Sequence, residues 1–368
     1  MAFQTAYEQI LKQLQAFDPK AYARSRNFKD GQVSRLSPYI SRGVISTRFV
    51  AQTVLQKGYS VTEIQKFIQE LAWRDYFQQV WMAIGDEINT DIKQTQTHVS
   101  HHHIPENILK AKTSIHAIDT GIDELYTTGY MHNHMRMYVA ALSCNLGQSH
   151  WKTPAKWMYY HLLDADWASN ALSWQWIAGS FSHKKYIANQ ENVNRYFDTD
   201  QTGTFLDQSY EELTTWKIPK ELESTTVLEL KTKLPEPAAI SIDTDLPTYI
   251  YNFYNLDPNW GKSTKANRIL LLEPEFFSQY PVRDKTISFV LDLAQNIENI
   301  QVYVGSFDAL KTKYNLKNIH FKEHPTNRHY TGAAHAREWL FPDVTGYHAS
   351  FSQFWKKAQK QLDQLTDF

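Results

Sequence analysis

Seven of the eleven tryptophans in this chain lie between Trp73 and Trp176, in a stretch whose apolar residues follow the helical period. A chain that carries so many indoles on helices has to pack helix against helix around large planar side chains. Aromatic residues make up 14% of the 368, and by composition alone ordinary core packing accounts for the cluster. Ser60-Val61-Thr62-Glu63 reads as a capping box, with Ile64, Phe67, Ile68 and Leu71 following at helical spacing. Further helices are predicted over residues 132–146, 153–163 and 168–177, and no alternating strand pattern interrupts the first 198 residues.

The character changes after that. Residues 199–246 are charged, Thr-rich and punctuated by proline (LPEPAA, DTDLP), which reads as a connection hugging the surface. Beyond it, 249–253 (YIYNF), 268–273 (RILLLE), 300–305 (IQVYVG) and 319–323 (IHFKE) read as short strands, and Ile287, Val290, Leu291, Ala294 and Ile297 mark a helix between two of them. Strand–helix–strand order implies a small parallel sheet. An amphipathic helix is predicted over 351–365. The expected fold is therefore mainly α: a helical domain over 1–200, a connection over 201–245, and a small α/β domain with a short parallel sheet over 246–368.

The formal net charge is −1, so no global basic field draws the chain to nucleic acid or membrane, and such contact has to come from a local patch. Cys144 is the single cysteine, which excludes an intramolecular disulfide and a four-cysteine iron–sulfur or zinc site. The start, MAFQTAYEQILKQLQAF, is too polar for a signal peptide, and no apolar run approaches a membrane span. A soluble cytoplasmic monomer without a membrane partner is expected. His98, His101, His102 and His103 are crowded, and His320, His324, His329 and His335 recur later. None stands beside Cys, Asp or Glu at metal-ligand spacing, so polar loops rather than a metal site are expected.

Four segments carry chemistry. Residues 31–39 (GQVSRLSPY) join hydroxyls, an arginine and a proline, and serines with free N–H groups at a helix start suit a phosphate. Glu70, Trp73, Arg74 and Phe77 share one helix face, either a salt-bridged surface stripe or something more specific. Asn133, Arg136 and Met137 share another. Asp166, Asn170 and Trp174, four residues apart in turn, line one side of a third helix, and Asp164 needs a cation for which Arg136 is the candidate.

Together, and in this order, the four segments resemble the FAD-binding domain of the photolyase/cryptochrome family. The family's Thr-Ser-x-Leu-Ser-Pro-Tyr-Leu loop corresponds to VSRLSPYI, its Glu-Leu-x-Trp-Arg helix to ELAWRDYF, its Trp-Met-His-Asn-x-x-Arg-Met helix to GYMHNHMRM, and its Asp-Gly/Ala-Asp…Asn…Trp-Gln-Trp block to DADWASNALSWQW. The resemblance spans about residues 20–200 and implies bound FAD. It assigns Ser34, Arg35, Leu36 and Ser37 to the diphosphate, with Val33 where the family usually has Thr, and Tyr22 to the flavin at a spacing one residue short. It pairs Arg136 with Asp164 beside the isoalloxazine, gives Asp166 polar edge groups of the cofactor, and sets Asn170 facing the flavin N5.

The resemblance further implies a light-dependent lyase acting on UV-damaged DNA. Glu70, Trp73, Asn133, Met137 and Trp176 match the lesion-facing residues of the cyclobutane-dimer enzymes, and Arg74 belongs to the same face. The indoles would sandwich a flipped base, while Glu70 and Asn133 bond its edge. The order His132-Asn133 favours the cyclobutane lesion over the (6-4) lesion. Trp174 and Trp151 match the inner members of the family's electron-transfer chain. The outer one falls near Ile108, and Trp157, Tyr159 and Tyr160 are candidates to replace it. The family's α/β domain usually precedes the flavin domain, whereas here an α/β segment follows it, so no antenna-binding residue carries over and no antenna chromophore or iron–sulfur cluster is expected. The alternative is a cryptochrome-like blue-light photoreceptor with the same flavin and no repair.

Overall fold

The computed structural model describes residues 3–366. It forms two compact units interleaved along the chain: one from Lys20–Val33 and Ile84–Leu230, the other from the residues before Lys20, Ser34–Ala83 and the chain from Lys231 onward. These units do not coincide with the contiguous segments drawn from composition. The long helix Val61–Ile84 is tied to the end of the chain: Tyr76 donates to the His348 carbonyl and Gln79 to that of Val344, and the Leu340 N–H donates to Asp75.

The first unit is helical. His116–Thr128, Asn133–Ala141, Lys152–His161 and Trp167–Ala178 are its main helices. The predicted helix over 132–146 is α-helical only to Ala141. Leu142–Leu146 continue as a π-helical turn, all five residues buried. Trp167–Ala178 is buried around most of its circumference, as a helix through the middle of a packed domain must be. Asp166 caps its start by accepting the Ser169 N–H at 3.0 Å, and Gly179 ends it at φ 84°. The expectation of a wholly helical domain needs one correction. Ile104–Pro105 pair antiparallel with Thr225–Thr226, a ladder too short to leave an alternating pattern in the sequence.

The second unit holds a five-stranded parallel sheet: β1 Thr248–Tyr251, β2 Asn267–Leu272, β3 Ile300–Val304, β4 Ile319–Lys322 and β5 Ala333–His335, in the order β3-β2-β1-β4-β5. All residues of β1 and β2 are buried, including the polar Thr248, Asn267 and Arg268 at their starts, as befits central strands covered on both faces. Strand β5 was not foreseen: three residues at an edge, two of them exposed alanines, carry no hydrophobic signal. Helix Asp284–Ala294 is the one marked by Ile287 and Val290; Phe307–Lys313 is a further helix, whose Phe307 and Leu310 join Ile250, Ile269 and Phe321 in the core. The final predicted helix is α only over Phe351–Ala358, then tightens to 3₁₀ over Gln359–Leu365. The capping box is as read: the Ser60 N–H donates to Glu63 at 2.9 Å and the Glu63 N–H to Ser60 Oγ at 3.4 Å. Among the described residues, no helix is long and apolar enough to cross a membrane.

Candidate functional site

In the first unit, the start of helix Asn133–Ala141 is pinned by the His132 ring, which accepts the His134 N–H. One turn on, Arg136 is aimed by its Nε, which donates to the Met131 carbonyl at 2.9 Å. Its fork then meets Asp164 in two parallel bonds, Nη2 to Oδ2 at 2.9 Å and Nη1 to Oδ1 at 3.3 Å. Asp164 is only 6% exposed, so the guanidinium is what makes a buried carboxylate tolerable there. Arg136 and Asp164 are thus brought together as expected. Two residues on, Asp166 is spent in part on the helix cap. Asn170 Nδ2 donates to the Ala155 carbonyl at 2.8 Å, which orients its amide. Among the described residues, Ser169 Oγ is buried with no hydrogen-bond partner. A carboxylate–guanidinium pair, an oriented amide and an unsatisfied hydroxyl within one stretch fit a polar heterocycle such as a flavin.

Around this stretch, Asn133 is exposed, Met137 half-buried and Trp176 41% exposed, its ring tilted against Tyr186 at 6.0 Å. Tyr22 is half-buried on helix Pro19–Ser25. Trp174 and Trp151 are buried. Ile108, where the outer indole was sought, is fully buried, as are Trp157 and Tyr159, while Tyr160 is half-buried. Asp91, which accepts the Trp151 indole N–H at 2.7 Å, was missed by sequence reasoning. So was Trp167, 6.4 Å from Trp151 between ring centroids. An aspartate in a loop gives no warning that it faces an indole 60 positions away.

The other assigned residues belong to the second unit. At the loop over 34–37, Ser34 Oγ accepts the Leu36 N–H at 3.3 Å, Arg35 takes a left-handed φ of 54°, and a five-residue helix, Ser37–Ser41, follows. Along Val61–Ile84, Glu70 pairs with Lys66 at 3.0 Å. Trp73 is stacked face to face on Phe351, 3.7 Å between centroids and 9° from parallel. Arg74 lies 3.7 Å from Asp75, a buried carboxylate that burial pushes upward while Arg74, the Leu340 N–H and Thr47 pull it back.

The same unit has a cavity of about 430 Å³ where the chain leaves β1, β4 and β5. The strand order reverses between β1 and β4, and parallel sheets open a crevice at the carboxyl ends of such a pair. Asn255 and His324 line it, both buried, and among the described residues neither amide atom of Asn255 nor Nε2 of His324 has a hydrogen-bond partner. Burial holds His324 well below the usual histidine range, reinforced by Arg337, Arg74 and Arg42. Nothing in the sequence singles out Asn255, and His324, expected in a polar loop, is buried at the cavity instead. Among the described residues no cluster of three or more metal-ligating side chains occurs.

A family model described as the FAD binding domain of DNA photolyase matches residues 67–256, just over half of the chain. The loop over 34–37 lies upstream of that stretch. A deoxyribodipyrimidine photo-lyase of Alkalihalophilus pseudofirmus is 28% identical over 207 residues, covering 54% of this chain and 43% of that protein. A cryptochrome DASH of Danio rerio is 28% identical over 222 residues, covering 54% and 39%. Among solved structures, a Synechocystis cryptochrome aligns at 27% identity with a TM-score of 0.46, covering 53% of this chain and 44% of that one. The chain spans less than half the length of the curated relatives it matches.

Proposed function

The chain belongs to the photolyase/cryptochrome family through its FAD-binding domain, and from that premise we propose that it binds FAD and uses blue light to split cyclobutane pyrimidine dimers in DNA. The observation that carries the flavin reading is the bidentate Arg136–Asp164 pair, its carboxylate buried, within the stretch that matches the family's FAD-binding domain. Bound FAD supplies the light absorption and the one-electron chemistry. Ser34, Arg35, Leu36 and Ser37 hold its diphosphate, Tyr22, Asp166 and Asn170 contact its rings, and Arg136 with Asp164 fixes the charge beside them. Trp174 and Trp151 relay electrons inward. Glu70 and Asn133 hydrogen-bond the edge of the flipped dimer and stabilise its added electron, Trp73 and Trp176 stack on it, and Met137 and Arg74 border it. Retention of Glu70, Trp73, Asn133, Met137 and Trp176 together supports repair of this lesion.

A second reading, a photoreceptor without repair, is favoured by one contact: a ring face of Trp73 is covered by Phe351. Relatives named cryptochrome DASH match this chain at the same identity as those named photo-lyases. The deciding measurement illuminates flavin-loaded, reduced protein with a thymine-dimer oligonucleotide. Loss of dimers, abolished in Glu70→Ala with flavin still bound, supports repair. Dimers that persist under blue light with the flavin reduced refute it. If Phe351→Ala then starts repair where the unaltered chain shows none, the Phe351 stack is the block.

A further inference from the structure

Trp151 is fully buried, and its indole N–H donates to Asp91 Oδ1 at 2.7 Å, a short charge-assisted bond. The carboxylate is held from other directions as well. Its Oδ2 accepts the Gln96 N–H at 2.8 Å, and His150 Nε2 stands 3.3 Å from Oδ1. Gln96 locks the arrangement: its amide oxygen accepts the Trp151 backbone N–H at 2.9 Å and its nitrogen donates to the Ser149 carbonyl at 2.8 Å. Burial alone would raise the Asp91 carboxyl, but the bonds from His150, Gln96 and Trp151 outweigh it and hold the group below the ordinary aspartate value. Asp91 is therefore ionised where it meets the indole.

A resting indole does not need an ionised partner. Trp157 and Trp167, equally buried, make do with neutral ones: the Tyr126 hydroxyl at 3.1 Å and the Asn89 amide oxygen at 3.0 Å. A carboxylate becomes useful once the indole loses an electron. Oxidation draws charge from the ring nitrogen and turns a very weak N–H acid into one of carboxylic-acid strength, able to share its proton with a carboxylate already in the hydrogen bond. A buried radical cation beside a carboxylate is a poorly solvated ion pair, and moving one proton converts it into two neutral groups.

We propose that Asp91 is the proton acceptor of Trp151 during light-driven electron transfer, an inference that rests on the flavin reading above. When Trp151 passes an electron to oxidised Trp174, the Nε1 proton crosses to Asp91 Oδ1, leaving a neutral Trp151 radical and a neutral carboxylic acid. One electron has moved inward towards the light-excited flavin, and the proton has stayed within the hydrogen bond. An external thiolate returns one electron to Trp151 as the proton comes back from Asp91. With the proton gone, returning an electron alone would leave a strongly basic indole anion, so the oxidising equivalent stays on Trp151.

The test is flash absorption on the flavin-loaded full chain. The unaltered protein is expected to give the neutral Trp radical spectrum, with its appearance slowed in D₂O. Asp91→Asn keeps an oxygen for the indole but is a far weaker base. It is expected to give the radical-cation spectrum and at least about a tenfold loss of long-lived photoproduct, as for losing a charged partner. Asp91→Glu should restore the neutral spectrum. In the flavin-free chain, the Trp151 indole N–H resonance should shift upfield in Asp91→Asn, which reads the bond without any photochemistry. Neutral radical formed in Asp91→Asn at the wild-type rate overturns the assignment. The two levels separate through Trp174→Phe: photoreduction that survives it sinks the flavin-chain reading, whereas photoreduction lost in Trp174→Phe with undiminished proton loss in Asp91→Asn sinks the role of Asp91 alone.

Discussion

At the scale of single residues, the chemistry turns on which polar groups are buried and what they are buried with. Arg136 and Asp164 are far apart in sequence, yet a buried carboxylate and a guanidinium on helices of a tryptophan-rich domain were expected to meet, and they do. Truncating Arg136 removes the guanidinium from the buried Asp164 carboxylate. Since the arginine is about one-fifth exposed, Arg136→Ala is expected to destabilise the protein by about 2–3 kcal/mol, somewhat below the figure for a fully buried pair. Urea denaturation measures that, and flavin retained on purification reads the cofactor role: a variant that folds but comes out colourless fits the proposal, and one that keeps a full complement of flavin contradicts it. Trp73 was foreseen as an indole beside a carboxylate and an arginine. That Phe351 lies flat against it could not be foreseen, because the two residues are about three quarters of the chain apart.

Elements whose signals are local were legible. The box at Ser60 and Glu63 starts the helix where it was predicted to start. Ser60→Ala should therefore cost about 1 kcal/mol, visible as a lower melting midpoint with an unchanged helical signal at low temperature. Helix His116–Thr128 ends at Gly129, with φ 75°. A Cβ there would come within 2.7 Å of Leu163 Cγ. Gly129→Ala adds the left-handed penalty of about 1–2 kcal/mol to that overlap, so it should lower the urea midpoint more than Ser60→Ala does. An equal or smaller shift would mean that the loop before Leu163 gives way. Elements without a local signal went unread. The β5 strand has three residues and two exposed alanines, and the Ile104–Pro105 ladder has only two residues per strand. The turn over Leu142–Leu146 looks helical in sequence because its apolar residues are so spaced, and only the hydrogen-bond pattern makes it π.

For the molecule as a whole, stability against pH reports on its buried titratable groups. His324 in the folded chain is held well below its ordinary value by burial, with Arg337, Arg74 and Arg42 adding to the effect. The unfolded chain, with a histidine value near about 6.5, binds that proton first. The stability linked to His324 is therefore present above about pH 6.5 and falls by up to about 1.4 kcal/mol per unit as the pH drops below it. Unfolding midpoints measured at pH 7.5 and 5.5 should converge in His324→Gln relative to the unaltered chain; an unchanged gap would mean that His324 takes up its proton without unfolding anything. The sequence by itself determined the helical class of the stretch that matches the family's FAD-binding domain, the order of its motifs and four strands of the parallel sheet. Those features are written in windows of a few residues, through side-chain period, caps and turn residues. Only the tertiary structure decided that Asp91 meets Trp151, that Phe351 covers Trp73, that helix Val61–Ile84 is tied to the end of the chain, and that Asn255 and His324 face a cavity. Each of these joins residues dozens to hundreds of positions apart, and such pairs are selected by how whole elements pack and exclude water rather than by any pattern in their own neighbourhood.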